Sequence, residues 1–212
     1  MPAPHYRFTT VADGDLAWGS GGVEARRAAV IDLPWTWLRQ EHGAGVVLAE
    51  RPGDEAGAVA DAAVTAVPGA AVAVVVADCA PVVLLAPGAV GVVHAGWRGV
   101  VAGVLPAAVE RLRPLAEGPI RAVVGPCIGP ECYVFGAEDL ARVTAVVGAG
   151  AEGVTEAGTP ALHLRAAVEA SLHLSGVDDV RHEGGCTACG GSWWSHRARA
   201  DRRRQAAVAW LG

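Results

Sequence analysis

Three segments of the chain combine a side chain that can bind a metal with a turn rich in glycine or proline. They are Gln40-Glu41-His42-Gly43, Ala77-Asp78-Cys79-Ala80-Pro81 and Val93-His94-Ala95-Gly96-Trp97-Arg98-Gly99. Two imidazoles and one thiolate suit zinc, and three protein ligands leave a fourth position for water, as in catalytic zinc sites. Zinc lowers the pKa of that water and so supplies a nucleophile at neutral pH. We therefore predict a zinc-type site, although the wide spacing alone also fits unrelated core or surface residues.

Short hydrophobic strands are the elements that must position these turns. β-Branched runs at 72–76, 82–85 and 90–93 lie next to the motifs, and helix-compatible segments follow at 100–115 and 137–147. Alternating strands and helices predict an α/β fold, a layered mixed β-sheet with flanking helices and the motifs at strand ends. The sequence shows no linker or repeat, so we expect one domain over residues 1–212. The segment 202–211 predicts a closing helix.

Composition argues against two classes of partner. The net charge of −5 disfavours nucleic acid, whose binding depends on neutralising phosphates. Hydrophobic residues make up 52% of the chain, but Asp78, Pro81 and Pro87 interrupt its most apolar stretch, 70–93, which therefore predicts buried strands rather than a membrane span. The first residues lack the basic and apolar runs of a signal peptide. We expect a cytoplasmic protein.

The five cysteines indicate thiol or metal chemistry before disulfides, because disulfides are rare in the cytoplasm. Cys186 and Cys189 have the spacing of half a zinc ribbon. Cys127 and Cys132 would have to supply the other half, and they lie further apart than such pairs usually do. Buried thiols are the alternative interpretation.

Several blocks together resemble the YfiH-type family, also called laccase-domain or multicopper polyphenol oxidoreductase proteins. The most specific are Ala77-Asp78-Cys79-Ala80-Pro81 and His94-Ala95-Gly96-Trp97-Arg98-Gly99, in this order. The other matching stretches are Gln40 to Val46, Asp61 to Thr65, Gly125 to Tyr133, Cys186-Thr187, Ser195-His196-Arg197, and Arg204 to Leu211. The resemblance covers the chain from about Gln40 to its end.

The resemblance implies a function as well as a fold. Members of the family are described as purine nucleoside phosphorylases with adenosine deaminase activity, and some bacterial members as peptidoglycan-precursor editing factors. Their fold resembles that of cysteine-dependent toxin deamidases of the CNF type. The implied substrates are a purine nucleoside, such as adenosine, inosine or methylthioadenosine, and phosphate. The implied metal ligands are His42, Cys79 and His94, with zinc as the expected metal and copper as the alternative.

The predicted catalytic residues are Cys79, His94 and Asp78. In deamination a water activated by zinc attacks C6 of the purine, and a neighbouring group carries the proton. Asp78 is the carboxylate nearest in sequence, although an aspartate that caps a turn is an equal alternative.

Phosphorolysis requires a pocket for an anion. Arg98, Arg197 and Arg204 are the candidates, because the guanidinium fork matches the geometry of phosphate. His196 is a candidate acid, base or phosphate donor. Solvated arginines and a packed histidine are the alternative interpretations. Departures from the family pattern, such as Tyr133-Val134-Phe135, leave the three implied metal ligands unchanged and bear on the substrate and phosphate contacts that the resemblance implies.

Two other functions remain open at this stage. One is a metal-free hydrolase with Cys79 as nucleophile and His94 as base. The other is a protein that binds metal or nucleotide without turnover. True laccase chemistry is disfavoured, because a multicopper oxidase needs more histidine ligands than the seven scattered histidines of this chain provide.

Overall fold

Two β-sheets pack face to face in the computed structural model, which describes residues 2–212. The strands are β1 (Pro4–Phe8), β2 (Trp35–Arg39), β3 (Val46–Ala49), β4 (Ala58–Val59), β5 (Ala62–Thr65), β6 (Ala71–Val76), β7 (Ala80–Ala86), β8 (Ala89–Ala95), β9 (Arg121–Val124), β10 (Glu152–Val154), β11 (Pro160–Leu162), β12 (Val180–His182) and β13 (Gln205–Leu211). The helices are α1 (Val23–Val30), α2 (Trp97–Ala102), α3 (Val104–Leu112), α4 (Ala137–Val147), α5 (Leu164–Leu174) and α6 (His196–Arg199).

Both large sheets are mixed. The six-stranded sheet has the order β12-β9-β7-β8-β5-β3, and the five-stranded sheet has the order β1-β13-β6-β2-β4. Antiparallel pairing of β7 with β8 places Ala80 opposite Ala95 and Pro81 opposite His94. This register brings the turn before β7 next to the turn after β8, which is where two of the motifs lie.

The core is divided by the sheets into layers. Val72, Val74, Val83 and Leu85 belong to the cluster between the two sheets. Helices α3 and α5 cover the other face of the six-stranded sheet, and α1 packs against the five-stranded sheet. All residues of β7 and β8 are buried, which explains why these strands are continuously apolar rather than alternating.

The predicted α/β fold with layered mixed sheets and flanking helices is confirmed. The predicted closing helix is wrong, because residues 205–211 form β13 between β1 and β6. The predicted helix over 100–115 is two helices, interrupted at Gly103, whose φ of 86° lies in the left-handed region. Within residues 2–212 no helix combines the length and the apolar character needed to cross a membrane.

Candidate metal centre and adjoining cavity

The three predicted metal ligands converge in the structure. One side-chain donor atom from each of His42, Cys79 and His94 lies within 4.8 Å of the other two. His42 Nε2 is 3.7 Å from Cys79 Sγ, and the two imidazole centroids are 4.7 Å apart. Zinc bonds of about 2.0–2.3 Å to nitrogen and sulfur place two ligand atoms of one tetrahedral ion about 3.5 Å apart. The three side chains therefore fit a shared ion of this kind.

Backbone geometry explains why these side chains meet. His94 is near the end of β8, Cys79 directly precedes β7, and His42 lies in the turn that follows β2. His42 has a φ of 62°, a left-handed conformation that costs a residue with a side chain about 1–2 kcal/mol. A Cβ atom on Gly96 would lie 2.8 Å from His42 Cδ2 and 3.0 Å from Cys79 Sγ. Glycine is thus required at position 96 because the ligands pack directly against its backbone.

Asp61 is a site residue that the sequence reasoning did not identify. It directly precedes β5 and is fully buried. Its Oδ1 accepts hydrogen bonds from His94 Nδ1 at 2.7 Å and from the His42 amide at 2.9 Å, while Oδ2 accepts one from the Gly43 amide at 2.7 Å. A carboxylate on Nδ1 leaves Nε2 of His94 to bind the metal and fixes the ring. The only signal in the sequence is that Asp61 opens one of the family blocks.

The charges of the site favour an ionised thiol. Burial opposes ionisation of Cys79, but the charge of His94 and hydrogen bonds from both histidines outweigh it and lower the pKa of the thiol to about 6. Burial also opposes the charged form of His94, but Cys79 and Asp61 raise its pKa to about 9. Burial likewise works against ionisation of Asp61, yet hydrogen bonds from His94 and Gly43 lower its pKa. A thiolate at neutral pH is the form that binds a metal, so this donor set fits zinc.

A cavity of about 620 Å³ adjoins the three ligands and includes all of them in its lining. The side chains of Trp18 and Tyr133 contribute aromatic surface, and Trp18 is 56% exposed. Basic residues from one stretch near the end of the chain also line the cavity, namely His196, Arg197, Arg202 and Arg204. Arg202 is not among the residues predicted from the sequence to bind phosphate. The cavity therefore joins a metal-type site to aromatic and cationic surface.

The predicted phosphate-binding residues are not all in this cavity. Arg98 is exposed on α2, with Cζ 4.5 Å from the centre of the Trp97 ring, and it is not part of the cavity lining. Arg197 lies with Cζ 4.9 Å from the Tyr133 ring and donates from Nη1 to the carbonyl of Val134. His196 and Arg204 also line the cavity. The structure thus brings together three of the four predicted residues.

Asp78 has a structural connection to the rest of the site. Its φ is 89°, and its side chain is buried. Oδ1 accepts a hydrogen bond from the Thr187 hydroxyl at 2.6 Å, and Oδ2 accepts one from the Arg197 amide at 2.6 Å. The carboxylate therefore joins the turn that carries Cys79 to the loop at 187 and to the start of α6. The proton-carrying role of Asp78 stays a prediction.

Comparison with known proteins identifies the family. A family model described as multi-copper polyphenol oxidoreductase laccase matches residues 23–212. A Streptomyces coelicolor protein named purine nucleoside phosphorylase is 40% identical over 205 residues, which cover 94% of this chain and 81% of the relative. A Mycobacterium tuberculosis protein of the same name is 36% identical over 221 residues, covering 100% of this chain and 88% of the relative.

Solved structures agree with this relationship. A Neisseria meningitidis protein has a TM-score of 0.85 and 26% identity, covering 100% of this chain and 98% of its own. YlmD from Geobacillus stearothermophilus also has a TM-score of 0.85 and 26% identity, with coverage of 99% and 92%. The resemblance to the YfiH-type family is confirmed, and the chain belongs to the multi-copper polyphenol oxidoreductase laccase family.

Proposed function

We propose that this protein is a metal-dependent purine nucleoside enzyme that cleaves adenosine, inosine or methylthioadenosine with phosphate. The observation that carries the proposal is that the three clustered metal-type ligands and three arginines line one cavity. The relatives named purine nucleoside phosphorylase support the substrate class. A volume of about 620 Å³ is also within the range of small-molecule sites, about 300–1,000 Å³.

His42, Cys79 and His94 would hold the metal, with zinc preferred for its affinity for thiolate and imidazole and copper as the alternative. Zinc bound there supplies Lewis acidity and activates water. Asp61 holds the His94 ring through Nδ1, so that Nε2 stays available to the metal. The free thiols of the chain suit a reducing compartment, and we propose the cytoplasm.

The arginines would orient phosphate and balance its charge. Arg202 is exposed at the cavity, and within residues 2–212 its guanidinium has no hydrogen-bonded protein partner. Arg197 and Arg204 already donate to backbone carbonyls, which fixes their side chains near the cavity. Trp18 offers an exposed ring on which a purine base can stack. Adenosine deamination is the second reaction we propose for this cavity, with Asp78 as the proton carrier.

A second candidate function rests on a specific arrangement of side chains. Asp61, His94 and Cys79 form a carboxylate–imidazole–thiol series, in which the thiol has a pKa of about 6. A thiol activated by histidine is the nucleophile of cysteine hydrolases. Under this alternative, the metal-free protein would hydrolyse an amide, such as one in a peptidoglycan precursor, through Cys79.

Product chromatography after incubation with adenosine or inosine and phosphate tests the proposal. Phosphate-dependent release of free base by zinc-loaded protein, lost on chelation and restored by zinc, is the expected result. Cys79→Ala should abolish release, whereas Cys127→Ala is the matched control because Cys127 is a buried thiol outside the cavity lining. Amide hydrolysis by metal-free protein would favour the cysteine hydrolase instead. Binding of nucleoside without any product would contradict both reactions and leave a binding protein.

A pair of variants tests whether Arg202 binds phosphate. Arg202→Gln should raise the KM for phosphate about 10-fold or more, because a hydrogen bond to a charged group contributes about 1.5–3 kcal/mol. Arg203→Gln is the control, since the Arg203 guanidinium lies 4.6 Å from the Trp194 ring and outside the cavity lining. Equal KM values for the two variants would show that Arg202 does not bind phosphate.

A further inference from the structure

A second group of metal-binding side chains lies apart from the cavity ligands. Donor atoms of Glu131, Cys132, Cys186 and Cys189 are all within 4.8 Å of one another. Cys189 Sγ is 3.4 Å from Cys132 Sγ and 3.3 Å from Glu131 Oε1. Glu131 and Cys132 belong to a single turn of 3₁₀ helix, Pro130–Cys132, whereas the other two cysteines follow β12.

The chemistry of this cluster matches a closed zinc site. Zinc–sulfur bonds of about 2.3 Å place the sulfurs of one tetrahedral ion about 3.8 Å apart, and three thiolates with one carboxylate complete four positions. Cys186 and Cys189 are separated by two residues, the spacing with which a short turn chelates zinc. The Gly129 amide donates to Cys186 Sγ at 3.2 Å, a contact that stabilises a thiolate ligand.

A disulfide accounts for the cluster less well. The sulfurs of Cys132 and Cys189 are not bonded at 3.4 Å, and all five cysteines are free. A bond between these two would leave Cys186 and Glu131 grouped around them without a role. Cys127, which the sequence analysis considered as a fourth cysteine ligand, is buried and is not a member of the cluster. Glu131 takes the place that the sequence reasoning gave to Cys127.

The loop that carries two of these cysteines is irregular, and hydrogen bonds from Arg199 to the carbonyls at 187, 188, 190 and 193 help to hold it. Residues 183–195 contain neither helix nor strand, and glycine occupies positions 184, 185, 190 and 191. The loop nevertheless delivers the Thr187 hydroxyl to Asp78, beside Cys79. Since ordering an irregular segment costs about 1–2 kcal/mol of backbone entropy per residue, a crosslink at its base would stabilise this contact substantially.

We propose that Glu131, Cys132, Cys186 and Cys189 bind a second zinc ion, which is structural and fastens the 186–189 loop to the 130–132 turn. The site is closed, because all four positions are filled by protein. Its role is to hold Thr187 against Asp78 and thereby to support the turn of the catalytic thiol. The proposal does not depend on which reaction the cavity performs.

Zinc analysis in the Cys79→Ala background tests this proposal separately from the proposed function. Removal of Cys79 disables the cavity site, so the zinc that remains reports the second cluster. We expect about one zinc per chain in Cys79→Ala and a loss to near zero in Cys79→Ala/Cys189→Ser. Cys79→Ala/Cys127→Ala is the matched control and should keep its zinc. Cobalt(II) added to metal-free Cys79→Ala should produce a thiolate-to-cobalt charge-transfer absorption, as expected for ligation by cysteine.

Two results would overturn the proposal. One is a folded Cys79→Ala protein, purified under reducing conditions, that binds neither zinc nor cobalt. The other is a Cys132–Cys189 disulfide found by mass spectrometry in protein whose melting temperature is unaffected by chelator. Because Cys189→Ser could unfold the loop, the chelator-dependent fall in melting temperature of Cys79→Ala is the second readout, and it should be present if zinc is structural.

Discussion

Replacing Asp61 by asparagine is the most informative single change at the metal centre. The carboxylate receives hydrogen bonds from His94 Nδ1, the His42 amide and the Gly43 amide, all between 2.7 and 2.9 Å. An asparagine oxygen can replace Oδ1, but its amide group then faces the Gly43 N–H, so two donors oppose each other. At least one buried donor is left without a partner, which costs about 1–3 kcal/mol.

Disrupting these hydrogen bonds should lower both the affinity of the site for metal and the stability of the protein. Changing a group that orients a metal ligand typically weakens binding about 10–100-fold, equivalent to about 1.4–2.8 kcal/mol. The melting temperature of the metal-free protein should fall by about 2–4 °C for each kcal/mol lost in a chain of this size. Zinc competition with a chromophoric chelator, in the Cys189→Ser background, measures affinity at the cavity site, and calorimetry measures the melting temperature.

The control for this experiment is Asp13→Asn. Asp13 also accepts a backbone hydrogen bond, from Thr10 at 2.8 Å, but it lies outside the cavity lining. We expect its zinc affinity to match that of the parent. The account of Asp61 would be refuted if Asp61→Asn bound zinc within about twofold of the control, a difference of only about 0.4 kcal/mol.

Three further predictions concern the same centre. Gly96→Ala should weaken zinc binding, since its new Cβ would lie 2.8 Å from His42 and overpacking costs about 1–3 kcal/mol; unchanged affinity by zinc titration would contradict the packing. In metal-free protein the alkylation rate of Cys79, followed by peptide mass spectrometry, should fall as pH drops through about 6, because the lowered pKa keeps the thiol ionised above that pH. A midpoint near the ordinary thiol pKa of about 8.5 would show that the histidines do not stabilise the thiolate. Thr187→Val removes the 2.6 Å hydrogen bond to buried Asp78 and should lower the free energy of unfolding by about 1–3 kcal/mol in denaturant titrations, whereas Thr187→Ser should restore it; equal stability of both variants would argue against this contact.

The metal-type cluster was within reach of sequence reasoning because its side chains lie in short blocks that resemble those of a known family, whereas their wide spacing alone also fitted unrelated residues. His42, Cys79 and His94 each sit in a distinctive turn, and those turns lie at strand ends, where a sheet brings distant segments together. Asp61 was harder to find, because a single aspartate before an apolar run is common. Only the buried hydrogen bond to His94 identifies it as part of the site.

The direction of a side chain could not be read from the sequence. Arg98 belongs to a specific motif, yet its side chain is exposed on α2 and contacts Trp97, whereas Arg202, in a run of arginines without a motif, lines the cavity. Which residues join Cys186 and Cys189 is likewise decided only by the packing of the 130–132 turn.

The closing strand illustrates a limit of local propensity. Gln205–Leu211 contains three alanines, which favour helix in isolation, and all but one of its residues are buried. Its place between β1 and β6 comes from pairing with strands far away in the chain. Pairing over such distances overrides the local preference, because buried backbone groups must find hydrogen-bond partners.

The most direct test of the metal centre is anomalous diffraction at the zinc edge from crystals of the zinc-loaded protein. We predict a peak bonded to His42 nitrogen, Cys79 sulfur and His94 Nε2, and loss of this peak together with nucleoside cleavage in Cys79→Ala. Nucleoside cleavage by protein that has no peak at these three side chains would contradict the account.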